Sequence, residues 1–393
     1  MHRRQIRTSV QFFVMSLGIK ETCRRLVRSV ACGTGSTRYR RGQLLAEHPS
    51  APRTRRLVIK GLVPVALSSL VLTSCSSDQR PSSSGVARSD LRIAVTVDDL
   101  PFADRSANFS EVRRSTTRIL SALKSNGAAA VGFVNEDRLA DTGSCAAGVG
   151  ILRQWLRAGN ELGNHNYGHV GLQETPLAAY QEAVLKGERV TRAITRSARR
   201  PFRYYRHPFT QTGPSQEVRT AFENFLDEHG YEVAPFTIEH DDYLFSAVYD
   251  DALARRDFSE VERIRAAYLT HLDKSFAAFE TMSSGLFNRQ IPQVFLIHAN
   301  RLNADMLDTM LRRIKQRGYR FISLETALQD PAYRSPDGYV GPSGPSWLMR
   351  WARGMRRRLP VYGQPDPEAW LRERYEAILA RSRPEARSVE CTP

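Results

Sequence analysis

The sequence predicts an α/β protein built on a parallel sheet, and three observations lead there. From Leu91 onward, short runs rich in Val, Ile, Phe and Tyr alternate with segments of helical hydrophobic spacing. Alternation of this kind places strands side by side with helices as crossovers. There are seven such runs. The ionisable residues Asp98, His165, Arg206, Asp242 and His298 all fall at or just beyond the C-terminal ends of runs. Pattern alone leaves an open doubly wound sheet as an alternative, but this clustering favours a barrel, whose active sites sit on that face.

The strands are expected at Leu91–Val97, Ala128–Val134, Glu161–Asn164, Phe202–Tyr205, Glu232–Ile238, Gln293–Ile297 and Tyr319–Ser323. Helices are expected between them. Ser110–Asn126 stops at Gly127, Gly148–Ala158 stops at Gly159, and Ser215–His229 stops at Gly230, as glycine commonly ends a helix. Pro176–Thr195 reads as one helix with Thr175 as its N-cap. A longer helix starts near Ser259, with Glu262 completing a capping box, and carries Val261, Ile264, Tyr268, Leu272 and Phe276 on one face. Asn303–Arg317 closes the series before Gly318.

The chemistry sits in two motifs. Asp98-Asp99 ends the first strand, and His165-Asn-Tyr-Gly-His169 follows the third. One carboxylate and two imidazoles can fill one face of a divalent metal and leave positions open for a hydrolytic water. The second carboxylate is then free to act as a base. Either motif alone is weak: paired Asp at a strand end is more often a turn or cap, and HxxxH arises by chance. Their joint occurrence carries the reading. Zincin proteases also use HxxxH, but with Glu directly after the first His on a helix. Here Asn166 holds that position and Gly168 favours a loop.

Three further motifs follow in order: Arg206-His-Pro-Phe209, His240-Asp-Asp242-Tyr243 and Leu296-Ile-His298. With Thr96-Val-Asp-Asp99 and HxxxH, the region from about 91 to 328 resembles the NodB-like polysaccharide deacetylases, carbohydrate esterase family four. The resemblance implies a distorted (β/α)7 barrel of the NodB homology type. It implies that Asp99, His165 and His169 hold the metal, that Asp98 is the general base, and that His298 is the general acid. Arg206 would pair with Asp98, Asp242 would orient His298, and the Phe209 backbone N–H would stabilise the oxyanion, with Tyr243 beside it at the substrate. The chain departs from the family pattern at Val97, where Phe is usual, at Phe209, where Tyr is usual, and at Asn166, where Ser or Thr is usual. Asp241 competes with Asp242, and the aromatic Tyr243 after Asp242 decides between them.

The implied activity is metal-dependent removal of N-acetyl groups from amino sugars of a cell-envelope or extracellular glycan. Zinc is the first choice of metal, although Asp-His-His also accepts cobalt, nickel, manganese or iron. One alternative is an O-acetyl esterase on a polysaccharide such as xylan, which the same apparatus serves. A second, from another class, is a catalytically silent glycan-binding lipoprotein, against which intact Asp98 and His298 count.

The formal charge of +16 suggests nucleic acid until it is located. Residues 1–60 carry 14 Lys and Arg against 2 acidic residues, and 331–393 carry 11 against 7, so the region between is neutral. A nucleic-acid role loses its support. Residues 1–52 read as a disordered leader or as sequence upstream of the true start. Residues 53–75 read as an export signal: Thr54-Arg-Arg-Leu-Val-Ile-Lys60 precedes an apolar stretch too short for a membrane span, and Leu72-Thr-Ser-Cys75 resembles a bacterial lipobox. An ordinary cleaved signal or a buried core segment are the alternatives. With Cys75 lipidated, Ser-rich 76–90 would tether the 91–330 catalytic domain to the cell envelope, facing periplasm or exterior. Only Cys145 and Cys391 then remain, two distant thiols that do not suggest a disulfide framework. The basic extension 331–393 contains Trp347, Trp351 and Trp370, read as packing anchors ahead of a sugar-binding role.

Overall fold

A computed structural model of the protein describes residues 90–381 and Cys391. The leader (1–52), the export signal and lipobox with Cys75 (53–75), and the tether through residue 89 lie outside these described residues. Seven strands form where the sequence places them: β1 (Arg92–Leu100), β2 (Ala130–Val134), β3 (Glu161–Asn164), β4 (Tyr204–Tyr205), β5 (Glu232–Val233), β6 (Gln293–His298) and β7 (Arg320–Phe321). All pairings are parallel, in the order β5-β4-β3-β2-β1-β6, with β7 alongside the first residues of β1.

The sheet curls into a distorted barrel because one segment joins its two ends. Ala234 donates to the Tyr205 carbonyl at 2.8 Å beside β4, and four residues later Ile238 bridges Phe295 of β6. Leu296 donates to the Ile238 carbonyl at 2.9 Å. Residues 93–100 of β1 are buried throughout, as expected of a parallel strand covered on both faces.

Eleven α-helices accompany the strands among the described residues. They are α1 (Phe109–Ser125), α2 (Cys145–Arg157), α3 (Leu177–Lys186), α4 (Arg189–Ser197), α5 (Gln216–Glu228), α6 (Asp242–Ala254), α7 (Phe258–Phe287), α8 (Arg301–Gln316), α9 (Leu324–Leu328), α10 (Trp347–Gly354) and α11 (Ala369–Arg381). Side chains of Asn108, Ser144, Ser215, Asp257 and Asn300 cap the helices that follow them.

Three helix expectations need correction. The helix expected over Pro176–Thr195 is two, broken at Gly187-Glu188, and Pro176 rather than Thr175 occupies the N-cap. The break falls at a close approach: a Cβ on Gly187 would lie 2.8 Å from the Tyr167 nitrogen, so glycine lets the histidine loop pack against the helix end. The cap of α7 is Asp257, which accepts from the Glu260 N–H at 3.0 Å, so Ser259 and Glu262 form no capping box there. The expected face of α7 is buried as read. Helix α6 was not anticipated, because it follows the 232–238 segment with no glycine or proline to mark its start. Its buried Leu244, Phe245, Val248, Tyr249 and Ala252 nevertheless keep helical spacing.

The extension packs rather than frays: Trp347, Leu348, Trp351 and Leu371 join the same apolar core as β1 and β6. Its end is covalently held. Cys145, at the start of α2, forms a disulfide with Cys391, which corrects the reading of two unpaired thiols. A separation of 246 residues left no local signal of the pairing.

We expect Cys145→Ser to lower stability by about 2–4 kcal/mol, since the bridge restricts the unfolded chain across a long loop. Urea denaturation under non-reducing conditions measures this, and an unchanged midpoint would show that the bridge adds nothing.

Candidate metal centre and active site

The site begins with an irregularity in β1. Consecutive strand residues point to opposite faces, which would separate Asp98 from Asp99. Asp99 instead has φ +69°, and the β1–β2 register shifts between Val97 and Leu100. This kink turns the two neighbouring carboxylates toward one another's surroundings. His165 Nε2 lies 3.9 Å from Asp98 Oδ2 and 3.6 Å from Asp99 Oδ1. His169 Nε2 lies 3.4 Å from the same Asp99 oxygen.

The histidines are presented by a loop held from below. Asn135, just after β2, donates its amide to the carbonyls of His165 and Asn166 at 2.7 and 3.1 Å. Asn164 accepts from the Asn166 N–H at 2.8 Å, and Asp137 accepts from the Gly168 N–H at 2.8 Å. Asn166 itself reaches the Tyr205 hydroxyl at 3.3 Å, so the loop is braced with asparagine at that position. His165 Nδ1 donates to the Arg206 carbonyl at 2.8 Å, leaving a lone pair on Nε2 toward Asp99.

Asp99, His165 and His169 bring their ligand atoms within 4.8 Å of one another, the arrangement of a metal centre. The donor set fits a divalent ion on independent grounds. Asp99 Oδ1 is buried without a hydrogen-bond partner in its protein surroundings, an unsatisfied anion that a cation would complete. Burial pushes the His165 and His169 imidazoles down to about 4, so both are neutral ligands at ordinary pH. Burial alone would raise the Asp99 carboxyl, but Arg138 and the surrounding imidazoles outweigh it and hold Asp99 well below the usual carboxylate range. Arg138 Nη1 sits 3.2 Å from Asp99 Oδ2. Sequence reading missed Arg138 and Asn135, although both lie in the polar Asn135–Arg138 run directly after an apolar strand, the position that marked the other site residues.

Asp98 faces a different partner. The fully buried Arg206 crosses from the end of β4 to place Nη1 3.4 Å from Asp98 Oδ2 and donates to Thr96 Oγ1 at 3.1 Å. Asp98 Oδ1 is left buried and unpartnered. Opposite lies His298, the last residue of β6, paired in register with Asp98. Asp242 Oδ1 accepts from His298 Nδ1 at 2.7 Å, while Asp242 Oδ2 accepts from the His298 backbone N–H at 2.7 Å. Asn303 adds a donor to Asp242. Burial opposes the charged imidazole, yet Asp242 more than compensates and raises His298 to about 10. Burial likewise works against the Asp242 carboxylate, and His298 overcomes it to hold Asp242 at about 2. His298 keeps 22% of its side-chain surface exposed, so a substrate can reach it.

Phe209 lies at the mouth with φ +54°, its ring edge-on to His169 at 4.5 Å between centroids. Tyr243 follows Asp242 but turns its ring to Tyr375 of α11 at 5.9 Å. Asp241 serves another contact, accepting from His271 at 3.0 Å.

Residues 86–234 match the family model described as polysaccharide deacetylase. Over those residues the chain is similar to polysaccharide deacetylases. The matched residues include Asp98, Asp99, His165, His169, Arg206 and Phe209, whereas Asp242 and His298 of the candidate site lie beyond them. Among solved structures, a CE4-family pseudoenzyme from Bacillus anthracis is similar at 16% identity, over 61% of this chain and 66% of that one, with TM-score 0.41. The peptidoglycan deacetylase PdaC from Bacillus subtilis is similar at 19% identity, over 61% and 92%, with TM-score 0.39. A family 4 carbohydrate esterase from Streptomyces lividans in complex with acetate aligns at 16% identity, over 61% and 96%, with TM-score 0.39. No curated protein sequence matches the chain.

Asp242→Asn should move the alkaline limb of any activity that needs protonated His298 downward by about 1–3 pH units, because a neutral amide no longer favours the imidazolium. The sign follows from the acid being lost as pH rises through its raised pKa. A pH–rate profile with an unmoved alkaline limb would remove His298 from the acid role.

Proposed function

We propose that this protein is a metal-dependent hydrolase that removes N-acetyl groups from amino sugars of a cell-envelope or extracellular glycan. The observation that carries the reading is a pair of groups of unlike protonation beside the metal ligands. Asp98 presents an unpartnered buried oxygen, and His298, in register with it on the neighbouring strand, is favoured in its protonated form by Asp242. A base and an acid tuned apart in this way are what amide hydrolysis requires.

Asp99, His165 and His169 would hold the ion, with zinc preferred and cobalt, nickel, manganese or iron also compatible with the donor set. When bound, the ion supplies Lewis acidity for the acetamide carbonyl. Asp98 takes the proton of the attacking water, and Arg206 keeps that carboxylate oriented. The Phe209 N–H donates to the oxygen that gains charge as the carbonyl becomes tetrahedral. His298 gives its proton to the departing amine, steadied by Asp242.

The same residues could serve an O-acetyl ester, whose alkoxide leaves more readily than an amine. The strong stabilisation of protonated His298 favours the amide, since an amine must be protonated to leave. A silent glycan-binding role would need neither Asp98 nor His298. We further assign the protein to the cell envelope through lipidation of Cys75. The Cys145–Cys391 disulfide supports export, since such bonds persist in oxidising compartments. Cys75→Ala should release the protein to a soluble fraction or block processing. A wild-type protein that takes up no lipid precursor and fractionates as soluble would refute the anchor.

Acetate release from chitin oligomers, peptidoglycan, acetylated xylan and small acetamides separates amidase, esterase and binder. Within the active class, Asp98→Asn should keep its metal and lose about 10²–10⁴-fold in rate. Asp99→Asn should instead lose metal affinity. Metal content and rate measured on both variants check this division, and the reverse pattern would overturn it.

A further inference from the structure

The loop that carries Phe209 is strained, and its own turn bonds from Thr210 and Gln211 to the His207 and Pro208 carbonyls are joined by many from outside. Phe209 and Thr210 both adopt left-handed backbone, with φ of +54° and +51°. This conformation is costly for a non-glycine residue and more so for β-branched Thr210. Such strain persists only where surroundings enforce it.

The surroundings come from the C-terminal extension. Arg350 of α10 is fully buried, and its guanidinium donates to the Thr210 carbonyl and, at 2.9 Å, to Thr212 Oγ1. Its Nε donates to the Pro345 carbonyl at 2.9 Å, and Asp337 balances its charge at 3.3 Å. Thr210 Oγ1 donates to the Gly344 carbonyl at 2.7 Å, and Gln211 Nε2 donates to the Pro342 carbonyl at 2.8 Å. Gly344 presses directly on the strained residues: a Cβ there would stand 2.1 Å from the Phe209 carbonyl oxygen and 1.7 Å from Thr210 Oγ1. Those contacts are with backbone and a short side chain that cannot swing aside.

The geometry points to residues 342–350 as a strap that positions the Phe209 N–H for catalysis, with Arg350 and Gly344 as positioning residues. The inference rests on the proposed oxyanion role of Phe209. It goes beyond that role by making the C-terminal extension a working part of the active site. Arg350 reaches four acceptors spread over three segments through its planar fork, which the single ammonium of lysine cannot do. Glycine at 344 is required by the close approach of the Phe209 carbonyl, not by its own dihedral.

The test compares the full-length protein with Gly344→Ala and Arg350→Lys, the second variant guarding against loss of folding in the first. Three quantities are measured: amide hydrogen exchange across 206–213, kcat and KM for acetate release, and zinc affinity by competition titration. The strap predicts faster exchange in 206–213 without change in β1 or β6. It also predicts a fall in kcat of about tenfold or more, part of the 10²–10³ that loss of an oxyanion donor costs, with KM and zinc affinity within about twofold. Unchanged loop exchange, faster exchange with unchanged kcat, or parallel loss of kcat and zinc affinity would each overturn it. Wild-type protein that binds zinc but releases no acetate refutes the proposed function itself, and is recognised before any variant is compared. An active wild type beside a fully active Gly344→Ala refutes the strap alone.

Discussion

Three carboxylates, Asp98, Asp99 and Asp242, are buried at the mouth of the barrel, and the site is organised by the need to pair each of them. A buried charge without a partner costs far more than folding can supply, so each anion recruits a cation from a different strand end. Arg206 comes from the end of β4, Arg138 from the turn after β2, and His298 from the end of β6. The pairings fix which strand ends converge. They also leave one oxygen of Asp98 and one of Asp99 unsatisfied, and those two atoms are where the proposed function puts its base and its metal ligand. On that proposal, structural pairing and reactivity fall to different oxygens of the same carboxylates.

Most of the sheet was legible in the sequence because its central strands β1, β2 and β6 are almost wholly buried. Runs such as Ile93–Val97 carry their signal in composition, and the seven strands appear where read, with β2, β4, β5 and β7 shorter and β1 and β6 running on to Leu100 and His298. The helix seeded by Asp242 was not legible, since the preceding strand and the helix share the same apolar residue types and no breaker separates them. The split at Gly187 was hidden for a different reason. It coincides with the approach of Tyr167, a tertiary contact that no local spacing reports.

The site was legible as a list of residue types and less so as geometry. Spacing nominated Asp98, Asp99, His165 and His169, but a regular strand would have set the two carboxylates on opposite faces. Only the φ of +69° at Asp99 brings them together, and aspartate is among the few side chains that tolerate it. Arg138 and Asn135 escaped notice because neither falls in a repeated motif. Arg350 was out of reach altogether, lying 140 residues from the Thr210 carbonyl it holds. Its neighbours Trp347 and Trp351 announced a packed segment, without indicating that the segment packs against the Phe209 loop.

The segment 232–238 has a structural meaning of its own. It is laddered to β4 at its beginning and to β6 at its end, with Pro235 between them offering no N–H. Between those two heights the wall is completed by the start of α10: the Trp347 N–H donates to the Phe236 carbonyl at 3.1 Å, and the Ser346 hydroxyl to the Thr237 carbonyl at 2.8 Å. The cylinder is therefore sewn shut along a seam, while the β6-β1-β2-β3 side is continuous weave. A woven side resists changes in girth because every ladder bond must shift at once. A seam yields by slipping its stitches one at a time, so the girth of this barrel is most easily changed along 232–238, where the tail supplies two of the stitches.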